Sequence, residues 1–239
     1  YSKVIIDATG DVFICADFRF TLDSDPGTGV HIISPPSPFT WLSSMMVKLD
    51  SSGNHLSTRV MAGAMTDIAF DPGGNLITTG WFFGNVDFDV NSGQYNLSAN
   101  LNPLGGSNSL FIAKYDAQWN LVWAHQMQGT PYCIEYWYRV ICDQQGNIYC
   151  TGGFRDTVDF DPGPGINYAV SPGGYDAFVS KYDNSGSFQW VKHFGTSQSN
   201  QHDYAFETLI DNSNNLLITG QFNGSTDFDP GIGVHAVSA

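Results

Sequence analysis

The sequence predicts an all-β fold, a β-propeller of four-stranded antiparallel blades, and three observations carry that prediction. A pattern of Asp-turn, short apolar segment near Thr-Gly-x-Phe and then Asp-x-Asp recurs four times, with turn aspartates at 7, 71, 143 and 211. Each unit divides into short apolar segments separated by Asp-x-x-Gly turn signals, such as Asp7-Ala8-Thr9-Gly10 and Asp50-Ser51-Ser52-Gly53. Those segments are apolar on both faces, which suits sheets packed between other sheets. A unit of this size cannot bury its own faces and must stack on its neighbours. The units run approximately 1–63, 64–134, 135–203 and 204–239, the last one incomplete.

The first strand of each unit is short and ends at its turn aspartate: Val4 to Asp7, Ile68 to Asp71, Val140 to Asp143 and Thr208 to Asp211. A second strand follows after three residues, as in Asn147 to Gly152 and Asn215 to Gly220. The third is Ser44 to Asp50, Leu110 to Asp116 and Ala177 to Asp183, and the fourth is His55 to Met61, Leu121 to Met127 and Phe188 to Phe194. In the turns an Asp side chain accepts backbone N–H groups and Gly supplies positive φ. Regular four-strand units favour a propeller over a sandwich, and almost no helix is expected.

The Asp-x-Asp pairs are Asp23 and Asp25, Asp87 and Asp89, Asp159 and Asp161, and Asp227 and Asp229. In extended chain, residues i and i+2 face the same way, so each pair can offer two carboxylates to one calcium ion. The structural reading is a type II turn at Asp161-Pro162-Gly163, with Asp accepting turn N–H groups. No cofactor is expected beyond that possible calcium.

The run Gly146 to Phe154, then Val158-Asp159-Phe160-Asp161-Pro162-Gly163, then Gly174 to Asp183, then Trp190, resembles the bacterial SBBP-type β-propeller repeat. The resemblance covers essentially the whole chain. The unit holding Asp87-Phe88-Asp89 departs most: it lacks Pro-Gly there and has Trp119 where Gly53 and Gly186 stand. The resemblance implies a propeller module of large secreted or surface proteins without a general catalytic motif. The fourth unit stops after its second strand, so the remaining blades are expected from the same longer chain or from another chain.

The chain carries 13% charged residues against ~25% in typical soluble domains and has a net charge of −14. Most acids are locked to the repeat, and there is no basic cluster, so nucleic-acid binding is not expected. No apolar run spans a membrane. Cys15, Cys133, Cys142 and Cys150 show no zinc spacing, and either one disulfide or buried thiols fit them. Repeat-locked Phe18, Phe82, Phe154, Phe222, Trp123 and Trp190 read as interblade core. Lys48, Lys114 and Lys181 recur as salt-bridge or snorkelling residues, and His125 and His193 read as surface or edge. Glu135 and Glu207 have no evident partner, and no catalytic motif appears.

Information specific to this protein is expected where the units differ, in residues 28 to 43, 90 to 109, 129 to 138 and 195 to 203. Loops on a rigid scaffold are the usual place for binding. Trp41, Tyr132, Tyr136, Trp137 and Tyr138 are therefore the candidate contacts for a protein or glycan. The expected function is a non-catalytic extracellular propeller module for interaction or surface assembly. A calcium-dependent glycan-binding propeller is the alternative, and a glycoside hydrolase-like propeller using two carboxylates is the second.

Overall fold

Each turn aspartate folds its own hairpin. In all seven turns the Oδ1 of Asp7, Asp50, Asp71, Asp116, Asp143, Asp183 or Asp211 accepts the N–H groups two and four residues further on, at 2.8–3.1 Å. The fourth residue takes the left-handed conformation, as at Gly10 with φ 89° and Gly146 with φ 81°. Trp119 holds the same conformation at φ 67°, which costs a residue with a Cβ roughly 1–2 kcal/mol. Its packing offsets this: the indole lies 5.5 Å from the Phe13 ring and its Nε1 donates to Ser57 Oγ at 3.1 Å. The apparent defect in the second unit is thus a contact with the first.

A computed structural model describes residues 2–36, 43–99, 108–129, 139–196, 201–229, 231 and 233–239. Among these there is no helix. The first unit contains β1 (Ser2–Ile6), β2 (Val12–Phe18), β3 (Leu22–Asp23), β4 (Ile32–Ile33), β5 (Ser43–Leu49) and β6 (His55–Ala62). The second contains β7 (Ala64–Phe70), β8 (Leu76–Phe83), β9 (Asn85–Asp87), β10 (Asn96–Ser98), β11 (Asn108–Tyr115) and β12 (Leu121–Gly129). The third contains β13 (Arg139–Cys142), β14 (Ile148–Asp159), β15 (Tyr168–Tyr182) and β16 (Phe188–Phe194). The fourth contains β17 (Tyr204–Ile210), β18 (Leu216–Gln221), β19 (Ser225–Asp227) and β20 (Ala236–Ser238).

The main ladders are antiparallel and follow chain order, giving blades β1-β2-β5-β6, β7-β8-β11-β12 and β13-β14-β15-β16, with β17-β18 beginning a fourth. This is the propeller architecture the repeat predicts. First strands of successive units touch one another, β1 on β7, β7 on β13 and β13 on β17, so they form the inner wall. The fourth strands lie on the outer rim.

Apolar side chains on both faces of each blade fill the spaces between blades. Phe13, Cys15, Met46 and Met61 of the first pack with Met65, Ile68 and Leu76 of the second. Ile77, Leu110 and Ile112 of the second pack with Val140, Ile148 and Cys150 of the third. At the centre of the second blade, Phe88 and Phe111 lie 4.9 Å apart with Phe82 beside them. Phe154, Phe160 and Phe178 repeat that trio in the third. All six rings are fully buried.

The tryptophans divide: both are half-buried on rim strands, but Trp123 packs against the core between the second and third blades as expected, whereas Trp190 lies 6.2 Å from Tyr149 of its own blade, so the interblade reading is corrected for Trp190. His125 has the edge position expected of it, on the rim strand β12. It is half-buried, stacked 4.9 Å from Trp123, and a Cβ on Gly186 of the third blade would approach its Nε2 to 2.6 Å. Burial holds its pKa below the usual histidine value. The described cysteines Cys15, Cys142 and Cys150 are unpaired thiols. Burial pushes Cys15 and Cys142 up to about 12, so they behave as small apolar residues. Cys133 lies outside the described residues.

Candidate functional site

The Asp-x-Asp segments sit on short hairpins that the strand reading did not anticipate. The first acid of each pair closes the hairpin: Asp23, Asp87, Asp159 and Asp227 accept the N–H two residues on at 3.0–3.1 Å and the N–H eight residues on at 2.7–2.8 Å. The second acid accepts the N–H two residues beyond itself, as Asp25 does from Gly27 at 2.7 Å and Asp161 from Gly163 at 2.8 Å. These are Asx turns. Neither Gly27 nor Gly163 adopts the positive φ that a type II turn requires, so that expectation is corrected.

A further residue belongs to the motif. A Cβ on Gly29, Gly93, Gly165 or Gly233 would come within 2.0–2.2 Å of the second acid's Oδ2. The working pattern is therefore Asp-x-Asp-x-x-x-Gly. The extra glycine was readable from its constant offset of four, because a carboxylate folded back over its own turn leaves no room for a side chain. The middle residue points inward, and Phe88 and Phe160 each complete an aromatic trio. Ser24 in that position instead pairs its Oγ with Thr58 Oγ1 of β6 at 2.8 Å.

These hairpins do not stand up as free loops. Tyr95 Oη donates to the Ala124 carbonyl of β12 at 3.2 Å, and Asn91 Nδ2 donates to the Trp119 carbonyl at 3.0 Å. Arg59 of β6 donates from Nε to Asn91 Oδ1 at 2.9 Å, joining the first and second blades along the rim. Segments 28 to 43 and 90 to 109, expected as variable loops, are thus partly structural: β4 and β10 belong to the folded-back hairpins. Trp41, Tyr132, Tyr136, Trp137 and Tyr138, the candidate binding aromatics, lie outside the described residues.

The inner wall carries a second constellation, invisible within any one unit. The residue four before each inner turn aspartate is Lys3, Asp67, Arg139 and Glu207, alternating in sign from blade to blade. Lys3 Nζ lies 3.1 Å from Asp67 Oδ1, and Arg139 Nε lies 3.5 Å from Glu207 Oε2. Asp67, with 1% of its side chain exposed, also accepts the Val140 N–H at 3.0 Å, tying the second blade to the third. Burial raises the Asp67 pKa, while the Val140 N–H, Lys3 and Arg139 oppose the rise. Glu207, expected to lack a partner, has one in Arg139; Glu135 lies outside the described residues.

The carboxylates have opposite pH signatures. Desolvation pushes Asp7, Asp71, Asp116, Asp143 and Asp183 up, but hydrogen bonds outweigh it, from Lys114 first at Asp71 and from their own turns at the others, and hold them below the usual 3.8. Asp50 and Asp211 are lowered first by the Asn54 and Asn215 side chains, and Asp23 and Asp227 first by hairpin N–H groups. Burial raises Asp67 and Asp203. A lowered carboxyl stabilises the fold above its unfolded pKa and loses that contribution as pH falls through its folded value. A raised one contributes in the other direction. With nine groups lowered and two raised, the unfolding midpoint is expected to change little from neutrality down to about pH 4.5 and to drop below about pH 4. Thermal melts across pH check this, and a midpoint still rising below pH 4 contradicts it.

No family model matches the chain. Over 161 residues, 65% of its length, it is 29% identical to an uncharacterized WD repeat-containing protein of Acanthamoeba polyphaga mimivirus. The match spans 11% of that relative. The likeness to a repeat protein agrees with the blade architecture seen here.

Proposed function

We propose that this chain is a non-catalytic propeller module of a secreted or cell-surface protein, of the SBBP-like repeat type, presenting a loop face to a protein or glycan partner. The observation that supports this most is the use already made of the repeated polar side chains. The turn acids hold hairpins, the Asp-x-Asp acids hold rim hairpins, and the inner-wall charges pair with neighbouring blades. Side chains spent on the scaffold leave recognition to segments that differ between units. The mimivirus relative, named for its WD repeats, is consistent with a repeat scaffold.

The test is a binding screen on glycan and protein arrays, followed by Trp41→Ala and Trp137→Ala on any ligand found. Interface anchors of this kind carry a disproportionate share of affinity, so a loss of tenfold or more is expected with an unchanged unfolding midpoint. Unfolding of both variants assigns these aromatics to the core and removes the reading. The acids are proposed to work without metal, since each first acid already accepts two backbone N–H groups. A chelator is therefore expected to leave the melting temperature unchanged, because removing an absent ligand shifts no equilibrium. A fall of many degrees, restored by calcium but not magnesium, favours the calcium-dependent alternative.

A further inference from the structure

The rim hairpin of the third unit carries an apolar outer face along an open strand edge. Its strands are the far ends of β14 and β15, paired from Asp159 opposite Tyr168 to Asp156 opposite Ser171. Ala169 and Ser171 are buried, whereas the alternate residues Ile166, Tyr168 and Val170 are 69%, 62% and 51% exposed. The β14 side of the hairpin is covered by β12, with Gln128 opposite Asp159 and Gly129 opposite Val158. On the other side β16 pairs with β15 only from Ala177 onward, and among the described residues no strand pairs with that edge at 168–171. The open stretch is bounded, because the Asp203 N–H already donates to the Tyr175 carbonyl at 2.7 Å.

This edge is open by design of the unit. In the second unit, which has a complete blade on each side, β10 likewise pairs with β9 alone, and Gln94, Asn96 and Ser98 stand exposed at the positions of Ile166, Tyr168 and Val170. What sets the third unit apart is that these positions are apolar. The direction of its backbone groups follows from the ladder. The Phe160 N–H donates to the Asn167 carbonyl at 3.2 Å, and every second pair of an antiparallel ladder exchanges such bonds. The next bonded pair is therefore Val158 with Ala169, which leaves the N–H and C=O of Tyr168 and Val170 directed at the open edge.

We propose that this edge takes up an extended, basic segment of a partner protein as an added antiparallel strand, with two apolar residues at alternate positions beside Tyr168 and Val170. A partner residue opposite each of these two exchanges main-chain bonds with it, and its side chain lies on the exposed face, where aromatic and β-branched neighbours pair well. Proteins usually blunt an exposed apolar edge with charge, above all with Lys. Residues 156–171 contain neither Lys nor Arg. Charge selects the occupant: residues 155–171 carry Asp156, Asp159 and Asp161 against Arg155 alone, on a chain of net charge −14. A cationic segment is drawn to such a surface, whereas a second copy of the chain brings the same charge to it. The edge lies apart in sequence from the segments assigned to the loop face, so the two readings fail separately.

The experiment titrates the full chain, isotopically labelled, with the synthetic peptide Lys-Lys-Val-Thr-Val-Lys-Lys, followed by NMR and amide hydrogen exchange. Saturable binding that weakens with added salt is expected, with exchange slowed at the Tyr168 and Val170 amides. N-methylation of the two peptide valines removes their main-chain donors, and replacing the lysines by glutamate reverses the charge; each is expected to weaken binding about tenfold or more. In the chain, Val170→Pro removes an outward N–H and Tyr168→Lys places a cation on the apolar face. Both are expected to weaken binding by about the same factor while leaving the unfolding midpoint unchanged. Absence of saturable binding, equal affinity of either altered peptide or of the Tyr168→Lys chain, or protection mapping away from residues 168–170 overturns the proposal. So does protection of that stretch by self-association of the chain without peptide, which assigns the edge to a second copy. Tyr168→Lys and the peptide variants keep the test valid even where Val170→Pro fails to fold.

Discussion

Replacing Lys114 with methionine is expected to cost roughly 3–5 kcal/mol, the range for removing one partner of a buried ion pair. Only 5% of the Lys114 side chain and 2% of that of Asp71 is exposed, and their charged atoms lie 2.7 Å apart. The ammonium also donates to the Asn184 side chain and, at 3.3 Å, to the Asn184 carbonyl in the third blade's outer turn. Losing it leaves the Asp71 carboxylate and the Asn184 oxygens without their cation, and methionine restores only the aliphatic length. Asp71 then gains affinity for a proton in the folded state, so the variant's deficit is expected to narrow as pH falls towards 4. Urea unfolding at two pH values reads both effects.

The same repeat position elsewhere supplies the control. Lys48 has 18% of its side chain exposed and faces Asp11 at 2.9 Å and Asp7 at 3.9 Å. Such a partly solvated pair contributes about 1 kcal/mol or less, so Lys48→Met is expected to shift the midpoint only slightly. Lys181 lies 5.2 Å above the Tyr149 ring, a third use of one repeat position. Equal costs at 48 and 114 contradict the argument from burial.

How far the sequence could be read depended on the range of the chemistry. Turns such as Asp71 to Asn75 were legible because one carboxylate satisfies two N–H groups two and four residues away, entirely within a local spacing. The strands followed from those turns. The rim hairpins were missed because β3 and β4 have two residues each, and β9 and β10 three, too few to show an alternation. The bond from residue eight to the first acid crosses a stretch whose composition reads as loop. The inner-wall charges were missed for another reason: Lys3, Asp67, Arg139 and Glu207 differ in every unit, so a search for identical residues discards them. Their meaning lies in the relation between neighbouring units. The candidate binding aromatics rest on where the units differ and on their residue type, and all five lie outside the described residues.

Phe178→Ala is expected to be as damaging as loss of the buried lysine, at roughly 3–5 kcal/mol, the usual cost of truncating a core phenylalanine. The ring lies 4.8 Å from Phe160 and 6.0 Å from Phe154, and all three are excluded from solvent. Removing it opens a void at the centre of the third blade, whose flanks pack against the second blade and β17, so the surrounding walls have little freedom to collapse. Because each repeat is held by its neighbours, the loss is expected to destabilise the whole array and appear as one earlier unfolding transition. Phe228→Ala removes the corresponding middle-position ring of the fourth unit, which pairs with Phe222 and is 38% exposed. Its cost is expected to be on the order of 1 kcal/mol, in proportion to the smaller apolar area withdrawn from water. Chemical denaturation of the two variants beside the parent makes the comparison. If the Phe228 variant is as unstable as the Phe178 variant, the argument from burial fails.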